Sequence, residues 1–114
     1  PTVLELKDNA SPVIEQEVFG PVVPAVRVAD FDTALRLAND TEYGLSAYVF
    51  TQNHRRLMQT PYRLNFGEIY VNRANGEQFH AFHNGWNHSG LGGEDGKYGF
   101  DGYLRKQTLY MNWG

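Results

Sequence analysis

The sequence predicts an α/β fold: a parallel βαβαβ sheet unit, then a long glycine- and histidine-rich loop, then a carboxy-terminal edge strand. Short apolar runs at residues 22–28, 47–50 and 67–72 are typical of strands, and segments of helical periodicity separate them. Parallel strands joined through helices need crossover connections, which are right-handed in nearly all sheets. The length of 114 residues and the 41% of apolar residues predict one domain over residues 1–114, with enough apolar material for a core.

Proline residues, potential helix caps and apolar residues at helical spacing predict the first strands and the first helix. Residues 1–4 have the character of a strand, and Pro24 favours an edge position or a bulge for the next strand because proline cannot donate to a ladder. Asp30 offers an N-cap to a helix whose apolar stripe begins at Phe31. Gly44 is expected to stop that helix, since glycine accepts the left-handed conformation that follows many helices.

A second helix is predicted to begin after Asn53 and to carry Leu57 and Leu64 on its apolar face. Pro61 lies within this pattern and is expected to end or kink the helix, because proline removes a backbone donor. The third strand follows at residues 67–72. Asn72, at its end, is expected to hydrogen-bond the backbone rather than to take part in catalysis.

The remaining part of the chain is less regular. Residues 73–93 show no period and contain three histidines and five glycines. A loop longer than about 15 residues in a compact domain is usually functional or disordered, and the aromatic content here argues against disorder. A short helix is predicted near residues 98–104. Alternation at residues 107–113 predicts a last strand, within a segment 104–113 that would form a sheet edge or an oligomer contact.

Composition excludes several classes of function. Lys plus Arg is 10 and Asp plus Glu is 13, so the net charge is -3 and no basic patch points to nucleic acid. No polybasic run or apolar stretch of about 20 residues points to a membrane. The chain has no cysteine, which excludes disulfides, thiolate catalysis and cysteine-ligated metal within it. A cytoplasmic location is expected.

Four motifs resemble one family. They are residues 17–22 (EVFGPV), 38–47 (ANDTEYGLSA), 70–73 (YVNR) and 89–93 (SGLGG). None is decisive alone, but together, in order and spacing, they are similar to the carboxy-terminal part of the catalytic domain in the aldehyde dehydrogenase superfamily. Within that superfamily the chain most resembles the lactaldehyde/glycolaldehyde dehydrogenases. The resemblance implies a parent enzyme that oxidises a small (hydroxy)aldehyde to its acid with NAD or NADP.

The resemblance implies cofactor contacts for Glu17 and Phe19. In the family, the Glu of the Glu-x-Phe-Gly-Pro motif holds the nicotinamide ribose, and the Phe lies against the nicotinamide ring. A carboxylate suits this role because its two oxygens can accept hydrogen bonds from both hydroxyls of one ribose. Phe19 would lie on the same side as Glu17 if the backbone is extended. Glu15 is interpreted as a surface acid.

The resemblance implies substrate contacts for Glu77 and His83. His83 stands where most of the family has an aromatic pocket residue, and the lactaldehyde-type branch shares this His together with a Glu six residues earlier. A site built to hydrogen-bond a substrate hydroxyl rejects analogues that lack it, because its own buried polar groups would stay unpaired. The pair therefore suits a small hydroxylated aldehyde.

Two other interpretations of this loop are weaker. Glu77, His80, His83 and His88 could ligate zinc, but their spacing follows no common zinc pattern, so no metal is predicted. Gly90-x-Gly92-Gly93 suggests a phosphate loop, but it does not follow a strand in a βαβ unit.

No catalytic residue is predicted in this chain, because the family's cysteine nucleophile, general base, oxyanion asparagine and cofactor-binding portion have no match in it. The isolated chain is expected to be inactive and to bind NAD poorly. Its opening inside a strand-like segment fits either a fragment of the enzyme or a short protein whose initiator Met was removed. The alternative function is a truncated, non-catalytic module that forms a homo-oligomer through the strand at 107–113.

Overall fold

The computed structural model describes residues 1–74 and 76–114, so Asn75 of the predicted loop lies outside the described residues. Helices and strands alternate in the first two thirds of the chain, and short elements follow. In order they are β1 (Thr2–Leu6), α1 (Pro12–Glu15), β2 (Val22–Val26), α2 (Phe31–Ala38), β3 (Ser46–Val49), α3 (His54–Arg63), β4 (Glu68–Val71), β5 (His83–Asn84), a 3-10 helix (Asn87–Ser89), β6 (Gly93–Glu94) and α4 (Gly96–Gly102).

The strands form three separate two-stranded sheets within the described residues. β1 pairs with β2 and β3 pairs with β4, both in parallel, while β5 and β6 form an antiparallel pair. The α/β class and the parallel pairing are therefore confirmed. The prediction of one three-stranded unit is wrong, because β2 takes β1 as its partner and not β3. Periodicity identifies a strand but not which neighbour occupies each of its two edges.

Helix α2 begins as predicted and ends earlier. The Asp30 carboxylate caps it by accepting a hydrogen bond of 2.7 Å from the Thr33 amide, and that bond lowers the pKa of Asp30. The helix ends at Ala38 with Asn39 as its C-cap, so Gly44 does not stop it. The Asn39 side chain instead ties this helix end to the chain after α3, by bonding the Arg63 carbonyl and the Asn65 amide.

Helix α3 runs through its proline. Asn53 caps it through a side-chain bond from the Arg56 amide, as predicted. The helix ends at Arg63, two residues beyond Pro61, and Leu64 is its C-cap. Pro61 is tolerated because it lies in the last turn, where a single missing amide leaves little of the helix to disrupt. Leu64 is buried together with Thr60, whose hydroxyl donates to the Arg56 carbonyl.

Asn72 is a structural residue, as its position predicted. It follows β4 with a φ of 52°, in the left-handed region. Its side-chain oxygen accepts from the Thr51 amide and its side-chain nitrogen donates to the Thr51 carbonyl, both at 2.8 Å. These two bonds fix the ends of β3 and β4 beside each other.

Replacing Asn72 tests this arrangement. We expect Asn72→Ala to lower the free energy of unfolding by about 2 kcal/mol, because it removes two hydrogen bonds and leaves a left-handed residue with a Cβ and no compensating bond. Asn72→Gly removes the same bonds without the backbone strain, so its expected cost is about 1 kcal/mol. Denaturant unfolding of both variants measures the difference. Equal costs for the two variants would contradict a contribution from backbone strain.

The carboxy-terminal segment does not form the predicted strand. The short helix predicted near 98–104 is present as α4, but the described residues 103–114 form no helix or strand. Leu109, Tyr110 and Trp113 are mostly exposed. The prediction of an edge strand at 107–113 is wrong for this chain, because strand structure needs a second strand to complete the ladder. Pairing with another copy stays a prediction.

The chain buries little of its apolar surface. Among the described residues, only Leu35, Leu64 and Tyr70 are buried hydrophobic side chains. The accessible surface is 9393 Å² for 13.0 kDa, whereas a compact protein of that mass exposes about 6,300 Å². The radius of gyration is 19.1 Å, against about 13 Å for a compact chain near this length. The predicted core is therefore incomplete. None of the helices in the described part of the chain has the length and apolar character to cross a bilayer.

Candidate functional site

Glu17 lies in an open groove of about 540 Å³. The groove is formed by chain segments that are distant in sequence: the end of α1, the residues that lead into β3, and the 3-10 helix. Besides Glu17 itself, its walls include Tyr43, Ser46, Phe66 and His88. Glu17 is exposed and lines a groove with mixed polar and aromatic walls, and a carboxylate can accept hydrogen bonds from a ligand.

Phe19 is 94% exposed and is not on a strand. The amide of Gly20 bonds the Val18 carbonyl at 2.9 Å, and the amide of Val22 bonds the Gly20 carbonyl at 2.9 Å. These bonds close two three-residue turns, so the backbone here is not extended. The argument that alternation places Phe19 beside Glu17 therefore does not apply. The ring is instead a free apolar surface close in sequence to the groove.

Glu77 and His83 lie close together, and Glu68 joins them. One oxygen or nitrogen from each of these three side chains lies within 4.8 Å of the others. His83 Nδ1 is 2.8 Å from Glu68 Oε1, and His83 is half-buried while Glu77 is exposed. The hydrogen bond to Glu68 raises the pKa of His83, and the nearby carboxylates act in the same direction, whereas burial opposes them.

Tyr70 completes this polar cluster. Its hydroxyl donates to Glu68 Oε2 at 2.8 Å, and its ring stacks on that of Tyr48 with centroids 4.9 Å apart. Burial, followed by the bond to Glu68, raises the pKa of Tyr70 to about 12. The phenol therefore stays protonated and can only donate to Glu68 throughout the physiological range.

Glu68 is the residue of this site that sequence reasoning missed. It lies on β4 two residues before Tyr70, so the two side chains share one face of the strand. An acidic residue and a tyrosine at that spacing were visible in the sequence. The partner, His83, comes from β5, a strand of only two residues without a periodic signal.

Glycines bring the His83 segment against β4. A Cβ on Gly67 would lie 1.8 Å from the Asn84 carbonyl oxygen, so only glycine allows this approach. The Gly44 carbonyl accepts from the amides of both Gly67 and Trp86, and the Gly44 amide bonds Ser89 Oγ. Gly44, which does not stop α2, thus joins β3, β4 and the loop after β5.

The two candidate grooves adjoin. His83 lines a second open groove, of about 360 Å³, whose other walls are Leu45 and residues 84–85 and 89–94. Leu45 and Ser89 line both this groove and the groove of Glu17. A ligand bound at Glu17 and a ligand bound at His83 would therefore lie in adjoining grooves that share Leu45 and Ser89 as walls.

The histidines of the alternative zinc set do not all join this cluster. His88 Nδ1 lies 3.3 Å from the Glu42 carboxylate, and the His80 ring contacts Phe79 edge-on, with centroids 5.3 Å apart. Glu68, Glu77 and His83 offer three possible ligands, but the Nδ1 atom of His83 already bonds Glu68. The geometry thus favours a hydrogen-bonded cluster over the zinc set weighed from the sequence.

Comparison with known proteins identifies the family. The model of the aldehyde dehydrogenase family matches residues 1–109. This chain is an aldehyde dehydrogenase family member. It is 45% identical over 112 residues to 3,6-anhydro-alpha-L-galactose dehydrogenase of Vibrio sp. (strain EJY3). The matched region covers 98% of this chain and 23% of that protein. It is 41% identical over 109 residues to lactaldehyde dehydrogenase of Escherichia coli (strain K12), covering 96% of this chain and 22% of that protein.

A solved structure has the same fold over nearly the whole chain. The structure of 3,6-anhydro-L-galactose dehydrogenase in complex with NAP superposes with a TM-score of 0.92 at 47% identity, covering 98% of this chain and 24% of that one. This aldehyde dehydrogenase chain thus spans about a quarter of the length of the relatives it matches.

Proposed function

We propose that this chain is the carboxy-terminal segment of the catalytic domain of an NAD(P)-dependent aldehyde dehydrogenase, which oxidises a small hydroxylated aldehyde to its acid. The relatives of this chain include dehydrogenases of lactaldehyde and of an anhydro sugar. Its surface exceeds that of a compact protein by about 3,000 Å², which suits a segment whose apolar faces are covered by the rest of an enzyme. Parallel strands in particular are usually covered on both faces.

The groove of Glu17 suits the nicotinamide end of the cofactor. When bound, the cofactor accepts the hydride that the aldehyde loses. In this proposal the Glu17 carboxylate accepts hydrogen bonds from the two ribose hydroxyls, and the exposed Phe19 ring packs against the nicotinamide. The aromatic walls of the groove, Tyr43 and Phe66, would add apolar contact.

The meeting of Glu77 and His83 is the observation that carries the proposed substrate class. These side chains, six residues apart in the chain, have polar atoms within 4.8 Å of each other, and His83 lines the groove that adjoins that of Glu17. In this proposal they hydrogen-bond a hydroxyl of the aldehyde and hold its carbonyl end towards the cofactor. An aldehyde without the hydroxyl would leave them unpaired.

The reaction itself needs residues outside this chain. The sequence contains no cysteine, so the nucleophile must come from elsewhere in the enzyme, and the isolated chain would neither oxidise aldehyde nor bind NAD appreciably. As parts of the same proposal, residues 1–114 belong to one domain of a cytoplasmic enzyme. The exposed segment 107–113 would pair with a second copy, which would cover its exposed apolar side chains.

Substrate selectivity tests the proposal. In the enzyme that carries this chain, we expect His83→Ala to lower kcat/KM for lactaldehyde ten- to a hundredfold and to change kcat/KM for propanal little, because the lost hydrogen bond involves only the hydroxyl. His80→Ala is the matched control, since His80 is exposed and outside the cluster. Equal losses for both aldehydes in His83→Ala would refute the proposed hydroxyl contact.

A further inference from the structure

We infer that Glu68 is a positioning residue, which holds the His83 ring in the Nδ1–H tautomer and so leaves Nε2 free for the substrate hydroxyl. This inference rests on the proposed function and extends it to a residue for which the proposal gives no contact with the cofactor or the substrate. Glu68 would set the specificity of the enzyme through His83.

Both oxygens of the Glu68 carboxylate are in use. Oε1 lies 2.8 Å from His83 Nδ1, and Oε2 accepts the Tyr70 hydroxyl at 2.8 Å. The Glu68 side chain is only 13% exposed and that of His83 is 32% exposed. Because two donors from different segments hold the carboxylate, it cannot rotate without losing one of them. The stacking of Tyr70 on Tyr48 in turn fixes the phenol.

The tautomer follows from the chemistry of the pair. An ionised carboxylate has no proton and can only accept, so Nδ1 must carry the hydrogen. In the neutral ring Nε2 is then an acceptor, and in the imidazolium it is a donor. A hydroxyl can bond to either form, because it both donates and accepts. If the ring changed tautomer, Nδ1 would carry no hydrogen and would lose its bond to Glu68, so the ring would no longer be held in place.

The charges around His83 act in one direction. Glu68 on β4, Glu77 in the preceding loop and Asp95 ahead of α4 all raise the pKa of His83, and Glu94 of β6 is its register partner. The Tyr70 phenol stays neutral. The imidazolium therefore persists to higher pH than in a free side chain, and Glu68 is the largest cause. Replacing Glu68 by a neutral residue would shift the titration downward.

Nitrogen NMR of the imidazole tests the arrangement without any measurement of activity. In the protein labelled with nitrogen-15 in histidine, above the pKa of His83, we expect its shifts to report the Nδ1–H form. In Glu68→Gln, whose amide can either donate or accept, we expect a mixture of tautomers and a pKa of His83 lower than in the wild type. The exposed His80 is the internal control and should not change. A dominant Nε2–H form in the wild type would overturn the inference.

Kinetics link the arrangement to the substrate. We expect Glu68→Gln to lower kcat/KM for lactaldehyde about tenfold and to shift its pH profile downward, with little change for propanal. Tyr70→Phe removes one of the two donors and keeps the ring stack, so a smaller loss of the same selectivity is expected. It also provides a second variant should Glu68→Gln fold poorly.

The outcomes separate the two claims. If His83→Ala loses selectivity for the hydroxylated aldehyde and both Glu68→Gln and Tyr70→Phe keep it, the role of Glu68 is refuted while the proposed function stands. If His83→Ala itself keeps selectivity, the proposed function fails, although the tautomer measurement remains valid. Tight binding of added zinc, with loss of the His83 Nδ1–H signal, would also overturn the inference because the nitrogen would be a metal ligand.

Discussion

Replacing Glu17 by alanine is expected to weaken NAD(P) binding by the enzyme ten- to a hundredfold. The proposal gives this exposed carboxylate two hydrogen bonds from the ribose, and at about 0.5–1.5 kcal/mol net for each bond they contribute about 1–3 kcal/mol together. A loss of about 1.4 kcal/mol corresponds to a factor of ten. Glu17 is exposed in its groove, so the substitution removes no described contact within the chain that could confuse the result.

Titration of the cofactor, with fluorescence or calorimetric detection, measures this effect directly. Glu15→Ala is the matched control, because Glu15 is also an exposed acid, lies two residues away at the end of α1, and does not line the groove of Glu17. The control is expected to bind NAD(P) like the wild type. An unchanged dissociation constant in Glu17→Ala would remove this residue from the cofactor site and leave the motif at residues 17–22 without its proposed role.

Replacing Gly67 by alanine is expected to displace the His83 segment from β4. The added methyl would lie 1.8 Å from the carbonyl oxygen of Asn84, a backbone atom that cannot rotate away. Overpacking of this kind costs about 1–3 kcal/mol, and more where backbone must move. The bond between the Gly67 amide and the Gly44 carbonyl and the bond between Glu68 and His83 are both expected to break.

Hydrogen exchange locates this effect. The amides of Gly67 and Trp86, which share the Gly44 carbonyl, should lose protection in Gly67→Ala, as exchange through local opening follows the free energy of that region. Gly102→Ala is the control, since a Cβ at Gly102 meets no atom within 4 Å. If the two amides kept their protection in Gly67→Ala, the close approach of β5 to β4 would be contradicted.

Local patterns were sufficient for much of the backbone. Asp30 and Asn53 were identified as helix caps because their short side chains reach back to free amides three residues on, a relation within one turn of chain. Pairing between strands was not predictable in the same way. The run at 22–28 contains β2 (Val22–Val26), yet the partner of this strand is β1, and only the spatial arrangement selects one of several possible edges.

The candidate site shows the same division. Glu77 and His83 were singled out through a resemblance to a family, and the structure brings them together, but their roles in binding stay a prediction. Glu68 was not singled out, since it stands in an ordinary strand pattern and gains its importance only from His83, fifteen residues further on. Gly44 was assigned to the end of a helix, and its actual contacts are with Gly67, Trp86 and Ser89.

The sequence by itself determined the class of fold, the family and the absence of a thiol nucleophile, because periodicity, motif order and composition can all be read along the chain. Only the tertiary structure decided which strands pair, why Gly67 must lack a side chain, and how Glu68 and Tyr70 hold His83. These features depend on distances between segments that are far apart in sequence, and no local pattern encodes such distances. The tertiary structure also determined that the buried core is small, because apolar residues are buried only where another layer of structure covers them.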